Sequence, residues 1–529
     1  MTQEQYEKLK NIDTKELHLE LVNKLRGQCA SEDFFLKAIT ICYNTYLENN
    51  DDNWDLDILL AYILFNNESE LQRKGSSFST PASISTLCNN LLQTTKDDSF
   101  IELCSGNGCF FVENAFSIGN YTGVEINENS NAIAKIRSQV LGRANTLLVD
   151  NALTFSATEK ADKAFGNFPF AIRKGLEDYK DTLFETIGIP TDINATSDWF
   201  FSSALLGAIK QTGRAVAVVT NGTTMNLLDK DIRKEYIEKG YLETVISLPR
   251  NLFSDTGIPV NVLVFTYGNK NVNLVDASEL YVKGRRINTL SADHIKKIIS
   301  LLGVESEIST VKTCDELRQN DWVISPIRYL AAPVIENGVP LGDYIKNVTR
   351  GVTITAKDLE TIRSETETCY RYINLSSIKD GILDYTNKVE WLKEIPVNHK
   401  KYCVKNNTIL LSKIGSPSFK SAIVQKDDDF MLLPASNFFV IEIDETKVIP
   451  AYIQAFFASA LGLKALQSIS AGTSFYTFSV ENLKRLLIPL ATKEMQERIA
   501  QDYINGVDKL IVLEKNKLET METLKNLFD

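Results

Sequence analysis

Apolar residues recur at helical spacing over residues 1–70, where Leu17, Leu19, Leu21 and Leu25, then Leu56, Ile58, Leu59 and Leu60 stand among polar neighbours. This predicts a small amino-terminal helical unit. Over 71–310 the pattern changes to short apolar runs followed by helix-like segments. Ser99–Leu103, Tyr121–Ile126, Thr146–Val149 and a fourth run into Asn167 read as strands, each delivering a polar residue at or near its carboxyl end. Such alternation predicts an α/β domain with a doubly wound sheet. A charged stretch, Glu305 to Asp321, then gives way to Trp322–Leu330, so 311–335 is expected to be a linker. From 336 to 496 the period shortens toward two, in Tyr370–Leu375, Thr408–Ser412 and Phe438–Ile443, with turns at Lys379-Asp-Gly381 and Gly415-Ser-Pro417. With a helical segment at Ala451–Leu463 this is an α+β unit. The last segment, 497–529, reads as one amphipathic helix with a stripe of Ile499, Tyr503, Val507, Leu510, Leu513, Leu518, Met521, Leu524 and Phe528. That stripe suits either packing on its own chain or a homodimer through the helix, and Gly506 within it weakens a long coil.

Candidate chemistry gathers where the strands end. The run from Ser99 to Phe111 is an apolar strand carrying Glu102, a Gly106-x-Gly108 turn, and a helix start at Phe110 to Ala115. Glycines let backbone approach a ligand where a Cβ would collide, and the carboxylate can meet a cationic or hydroxylated cofactor. The third glycine of the dinucleotide fingerprint is missing, which favours a phosphate-free cofactor over NAD. Glu125 closes the second strand about 20 residues on, where an acid takes ribose hydroxyls. Asp150-Asn151-Ala152-Leu153 follow the third strand with polar groups suited to an adenine amine.

The fourth strand runs into Asn167-Phe168-Pro169-Phe170. An sp² amine such as adenine N6 is a poor nucleophile because its lone pair is delocalised into the ring. The Asn167 amide oxygen and the Phe168 carbonyl can both accept from that amine and return the lone pair to nitrogen. Pro169 fixes its own φ, and Phe170 offers a ring face to a base lifted out of the stack. Alone, the turn is common loop sequence. Structural carboxylates in an unrelated α/β domain are the competing reading, and four polar strand ends in series weigh against it.

With these segments in this order, the chain resembles the gamma group of DNA adenine methyltransferases, specifically type I modification subunits and fused modification-specificity proteins. Gly75-Ser-Ser-Phe78-Ser-Thr80-Pro81 resembles the family's G-x-x-[FY]-x-T-P segment. Glu102 to Gly108 resembles D-P-x-x-G-x-G, with Glu for Asp and Leu103 for Pro. Gly213–Gly222 resembles a later strand, and Leu248–Phe253 with Thr256-Gly257 resembles L-P-x-x-x-F-x-x-T-G. The resemblance implies a Rossmann-like domain dependent on S-adenosyl-L-methionine. The implied cofactor contacts are Phe78, Thr80 and Pro81; Glu102, Ser105, Gly106, Gly108 and Phe111; Glu125; Asp150, Asn151 and Ala152; and Asn167. Transfer to adenine N6 in double-stranded DNA is implied at Asn167, Phe168, Pro169 and Phe170, without a metal.

Two departures stand out: Phe168 replaces the first proline of N-P-P-[FY], removing rigidity but not the carbonyl, and Asn151 stands where the family has an acid. Residues Leu341–Ile345, Leu410–Gly415 and Ala471–Ser474 resemble parts of a DNA target-recognition domain. A separate restriction subunit is the partner this implies. A non-catalytic DNA-binding subunit and a protein or RNA methyltransferase are the alternatives.

Composition changes this picture little. A length of 529 residues suggests three or four units, and 44% hydrophobic with 24% charged residues is ordinary for a globular protein. There is no long uncharged apolar run, and the amino terminus is too polar for a signal peptide, so a cytoplasmic protein with no membrane association is expected. Eight cysteines without a C-x-x-C pair read as reduced, and three histidines offer little for a metal. A net charge of −11 argues against a nucleic-acid partner, but whole-chain charge is a poor witness in a multidomain protein. Locally, Lys400, Lys401, Lys405, Lys413 and Lys420 form the candidate DNA-binding run, with Lys283-Gly-Arg-Arg286, Arg73-Lys74 and Lys230–Lys234 as further phosphate candidates.

Overall fold

The computed structural model describes all residues except 31–32, 49–53, 67–78, 144, 171, 173–174, 255, 331–332, 334, 380, 387, 416–417, 427–428, 471–475 and 526–529. Phe78, Arg73-Lys74, Phe528 and the Ala471–Ser474 segment therefore lie outside the described residues. Two compact units emerge, Met1–Pro326 and Ile327–Asp529.

The first unit is built on a nine-stranded sheet. Its strands are β1 (Ser99–Leu103), β2 (Asn120–Glu125), β3 (Thr146–Val149), β4 (Ala161–Asn167), β5 (Ile209–Thr220), β6 (Leu242–Ser247), β7 (Val260–Phe265), β8 (Asn271–Asp276) and β9 (Ser309–Thr313), in the order β3-β2-β1-β4-β5-β7-β6-β8-β9. All run in one direction except β7 and β9, which pair antiparallel with their neighbours. Strands this central are covered on both faces, and all six residues of β7, five of them apolar, are buried.

Helices cover both faces. Between α1 (Gln3–Leu9), α2 (Lys15–Leu25), α3 (Phe34–Glu48) and α4 (Leu56–Phe65) at the amino end and the sheet lie α5 (Ala82–Leu92), α6 (Cys109–Asn114) and α7 (Glu128–Leu141). On the other side, α8 (Lys180–Thr186) packs on α9 (Ser197–Gly207), which lies on β4 and β5. The doubly wound α/β arrangement predicted by the strand pattern is the one observed.

Two boundaries differ from the expectation. The amino-terminal helices share one core with α5, α6 and α7 instead of forming a separate unit. Tyr6 of α1 donates its hydroxyl to the Val112 carbonyl at 2.8 Å, and Lys10 pairs with Glu113 at 2.7 Å. Residues 311–335 are not a simple linker. They begin inside β9, the last strand of the sheet, and continue into a helix, Cys314–Gln319, whose Thr313 cap and Glu316 form a reciprocal capping box. An edge strand paired on one side tolerates polar residues, so the charged sequence concealed it.

The second unit is α+β. Ile345–Arg350, Phe438–Ile443, Ile409–Ser412 and Ser421–Ile423 form an antiparallel sheet, and Glu390–Trp391, Tyr370–Ile373 and Met431–Pro434 form a smaller one. The expected helix at Ala451–Leu463 is two helices, because Ser459 turns extended and caps the second with its hydroxyl, accepting from Gly462 N–H at 3.0 Å. The last helix starts before 497, spanning Lys493–Lys525. Ile499, Ala500, Tyr503 and Ile504 join the unit's core, whereas Leu510, Leu513, Met521 and Leu524 are exposed. Among the described residues no helix is long and apolar enough to cross a membrane.

Candidate active site

In a doubly wound sheet the chain winds away to both sides of one point, and the crevice beyond the carboxyl ends of the strands there is where ligands bind. Here that point lies between β1 and β4. A cleft of about 490 Å³ opens at it, the size of a small-molecule site. Of the residues singled out from sequence, it brings together Thr80, Ser105, Gly106, Glu125, Asn151, Ala152 and all four of Asn167–Phe170.

The floor is the turn after β1, where left-handed backbone alternates at Cys104 (φ 57°), Gly106 (φ 54°) and Gly108 (φ 78°). Glycine is the residue that adopts this conformation without strain, which accounts for the G-x-G spacing. Cys104 is strained there and lines the cleft. Glu125 ties the turn to β2: its carboxylate accepts from Gly106 N–H and from Asn127 N–H, each at 2.8 Å. Beneath, the Arg137 guanidinium of α7 is fully buried and donates to the Asn107 carbonyl at 2.9 Å.

At the end of β4, Asn167 is 8% exposed and its amide nitrogen donates to Thr80 Oγ1 at 3.0 Å. That bond holds the amide at the end of the strand, with its nitrogen toward Thr80. Phe168 sends its ring inward, stacked on Phe201 of α9 with centroids 5.1 Å apart. The ring fills the space above Gly166, where an added Cβ would lie 2.1 Å from a ring carbon. Packing thus supplies at 168 the restraint that a proline would have supplied through its ring. Phe170 is half-buried and meets Phe253 edge to face, with centroids 5.6 Å apart.

Other expected contacts are not among the cleft-lining residues. Glu102 lies under the turn, 2% exposed, accepting the Tyr121 hydroxyl at 2.5 Å, and burial pushes its carboxyl up to about 8. Phe111 is buried against Tyr121. Gly108 is the cap of α6, Pro81 that of α5, and Asp150 is exposed. Asn151 lines the cleft, but its oxygen accepts from Leu153 N–H at 3.0 Å and its nitrogen donates to Tyr179 at 3.2 Å.

Sequence reasoning missed Tyr179, Phe201 and Asn127 as lining residues. Tyr179 sits in a single 3₁₀ turn with no periodicity around it; Phe201 is one of many apolar residues of α9. In the second unit, Lys400, Lys401 and Lys405 are exposed. Lys413 is half-buried, and Lys420 spends its ammonium on the carbonyls of Leu375 and Ile378, at 2.8 and 2.9 Å, so it serves the fold.

A family model described as N-6 DNA Methylase matches residues 57–337, just over half of the chain, and one described as Type I restriction modification DNA specificity domain matches 342–523. The Type I restriction enzyme HindI methylase subunit of Haemophilus influenzae is 26% identical over 312 residues, covering 53% of this chain and 70% of its own. The MjaIX methylase subunit of Methanocaldococcus jannaschii is 23% identical over 327 residues, 55% of this chain and 58% of its own. Further methylase subunits are spanned over 48% to 53% of their length. Among solved structures, the type I restriction-modification system methyltransferase subunit from Streptococcus thermophilus aligns over 59% of this chain and 78% of its own, with 19% identity and a TM-score of 0.45.

Proposed function

The chain belongs to the N-6 DNA methylase family, and we propose that it methylates N6 of adenine in double-stranded DNA at sites selected by its second unit, using S-adenosyl-L-methionine. The observation that carries this reading is the Asn167–Thr80 hydrogen bond at the switch point, which holds an amide beside a half-buried aromatic ring in a cleft large enough for a cofactor and an extruded base. The donor set suits the cofactor: Glu125 for ribose hydroxyls, the turn of Ser105 and Gly106 for close backbone approach, and Asn151 and Ala152 for the adenine edge. When bound, the cofactor supplies the electrophilic methyl group.

The chain's own part is positioning and polarisation. Phe170 stacks on the flipped adenine. Asn167 Oδ1 and the Phe168 carbonyl accept from its amine, localising the lone pair on nitrogen along the line of transfer. The packed Phe168 ring keeps that carbonyl in place. The second unit holds the duplex, with Lys400, Lys401 and Lys405 on its phosphates. A separate nuclease chain is the further partner, since the relatives are named as subunits of Type I restriction enzymes.

The test is expression in a host lacking adenine methylation, with N6-methyladenine mapped by single-molecule sequencing beside Asn167→Ala. Methylation at one motif, lost in a variant that still binds cofactor, is the expected result. Cofactor binding without methylation by the wild-type chain would point to a subunit that binds DNA without transfer.

A further inference from the structure

The sequence offers several basic clusters, and of the two described in the first unit the fold neutralises one. Lys230 pairs with Asp321 at 3.0 Å, Lys234 with Glu238 at 3.9 Å, and Arg233 is buried against backbone carbonyls. Lys283, Arg285 and Arg286 differ: all three are exposed, and none makes an ion pair among the described residues.

They stand on a built element. Val282 and Thr289 exchange two backbone hydrogen bonds, of 2.8 and 3.1 Å, closing a hairpin over the basic run. At its tip the chain folds back so tightly that a Cβ on Gly284 would lie 1.9 Å from the Ile287 carbonyl oxygen. Leu280 and Leu290 anchor the two ends in the hydrophobic core. Asn288 then docks the hairpin sideways: its backbone N–H donates to the Asn251 carbonyl at 2.7 Å and its amide to the Arg250 carbonyl at 2.9 Å. That segment leads directly to Phe253, the ring against Phe170.

We propose that this hairpin, Val282–Thr289, is a phosphate clamp that grips duplex DNA beside the extruded adenine. The inference rests on the reading of the cleft as a DNA adenine methyltransferase site and goes beyond it in naming where the first unit touches the backbone. The hairpin follows β8, whose carboxyl end points the same way as that of β4, so clamp and cleft share one edge of the sheet. It is docked on the chain leaving β6, three strand spacings from β4, with β8 a fourth; at ~4.8 Å each this is about 14 to 19 Å. With ~3.4 Å per base step, the clamp meets phosphates about four to six base pairs from the target. Three cations without acidic partners, held on a hairpin docked to the unit's core in a chain of net charge −11, are suited to a polyanion.

The test compares the wild-type chain with Lys283→Gln/Arg285→Gln/Arg286→Gln, all surface positions, on a mixed-sequence duplex with cofactor present, measuring affinity from about 50 to 200 mM salt. Every phosphate that the variant leaves unneutralised lowers the slope of log affinity against log salt by ~0.9, so a reduction of roughly 2 to 3 is expected. In methyl transfer the KM for DNA should rise while kcat at saturation and cofactor affinity stay unchanged. A variant with the wild-type slope and KM overturns the clamp and leaves the methyltransferase reading standing. A wild-type chain that binds cofactor but no duplex overturns both.

Discussion

Gly166 and Phe168 are two residues apart on one strand and its exit, and the ring of one occupies the space above the other. A methyl group at 166 would be built 2.1 Å from Phe168 Cε1 and 2.6 Å from Cζ, so Gly166→Ala must push the ring out of its stack on Phe201. Overpacking of this kind costs about 1–3 kcal/mol. Phe168→Ala, at a side chain 1% exposed, costs about 3–5 kcal/mol through the cavity it leaves. In that cavity the new methyl no longer meets the ring, whose three atoms are its nearest neighbours, so Gly166→Ala should cost much less in the Phe168→Ala background. The double-mutant cycle then returns a coupling of about 1–3 kcal/mol, measured by calorimetry of the first unit's transition. Activity should follow the same logic. Asn167 lies between the two, and a displacement of about 1 Å at a reacting group costs about 100-fold, so Gly166→Ala should lose roughly that in kcat in the wild-type background and little more after Phe168→Ala. Equal costs of Gly166→Ala in both backgrounds would refute the argument that the Phe168 ring restrains the turn.

Thr80→Val removes the acceptor for the Asn167 amide hydrogen while preserving shape. A buried hydrogen bond of this kind is worth about 1–3 kcal/mol, so kcat should fall roughly 5- to 150-fold, with recovery in Thr80→Ser; an unchanged kcat in single-turnover assays would show that the amide is oriented otherwise. Glu102→Gln should alter the pH dependence of stability. Burial raises this carboxyl from 4.5 to about 8, so between those values the folded chain holds a proton that the unfolded chain has released. Wild-type stability therefore falls as pH rises across that window and levels off above it, and the Gln variant lacks this fall; parallel denaturation curves for the two proteins would contradict the assignment.

The parts of the site legible in the sequence are those dictated by local backbone. Gly106 and Gly108 are favoured as glycine because the turn is left-handed there, and Asn167 announces itself through its place at a strand end. Glu102 reads as a cofactor ligand because its position in the motif is right. Its fate depends on Tyr121, which the parallel pairing of β1 with β2 brings beside it, and no spacing along one strand reveals that. Phe168 is partly legible: residues two apart near the end of a strand share a face, so a glycine followed by an aromatic at that interval is a signal of ring over backbone. The third member, Phe201, comes from a helix and carries no such signal. Lys420 shows the converse limit, since a cation in a basic run looks available until the carbonyls it caps are seen.

The amino-terminal helices are the most instructive departure, because their periodicity predicts the helices correctly and says nothing of their role. Amphipathic spacing establishes that a helix has a face to bury but not what it is buried against. Here the answer is α5, α6 and α7, and through one side chain of α7 the turn after β1. Arg137 reaches from α7 with no exposed surface, and its guanidinium donates to the carbonyl of Ile63 at 2.8 Å and that of Asn66 at 2.6 Å at the end of α4, as well as to that of Asn107 in the turn. The carboxyl end of a helix leaves carbonyls unpaired and carries partial negative charge, so a buried cation is stabilised there. Bonds from a charged donor are the stronger class, and removal of the guanidinium would strand acceptors in α4 and in the turn together. One group therefore ties the end of α4 to the turn. An arginine in the middle of an amphipathic helix gives no sign of this from its own neighbours in sequence, since the three carbonyls it joins lie 30 or more residues away.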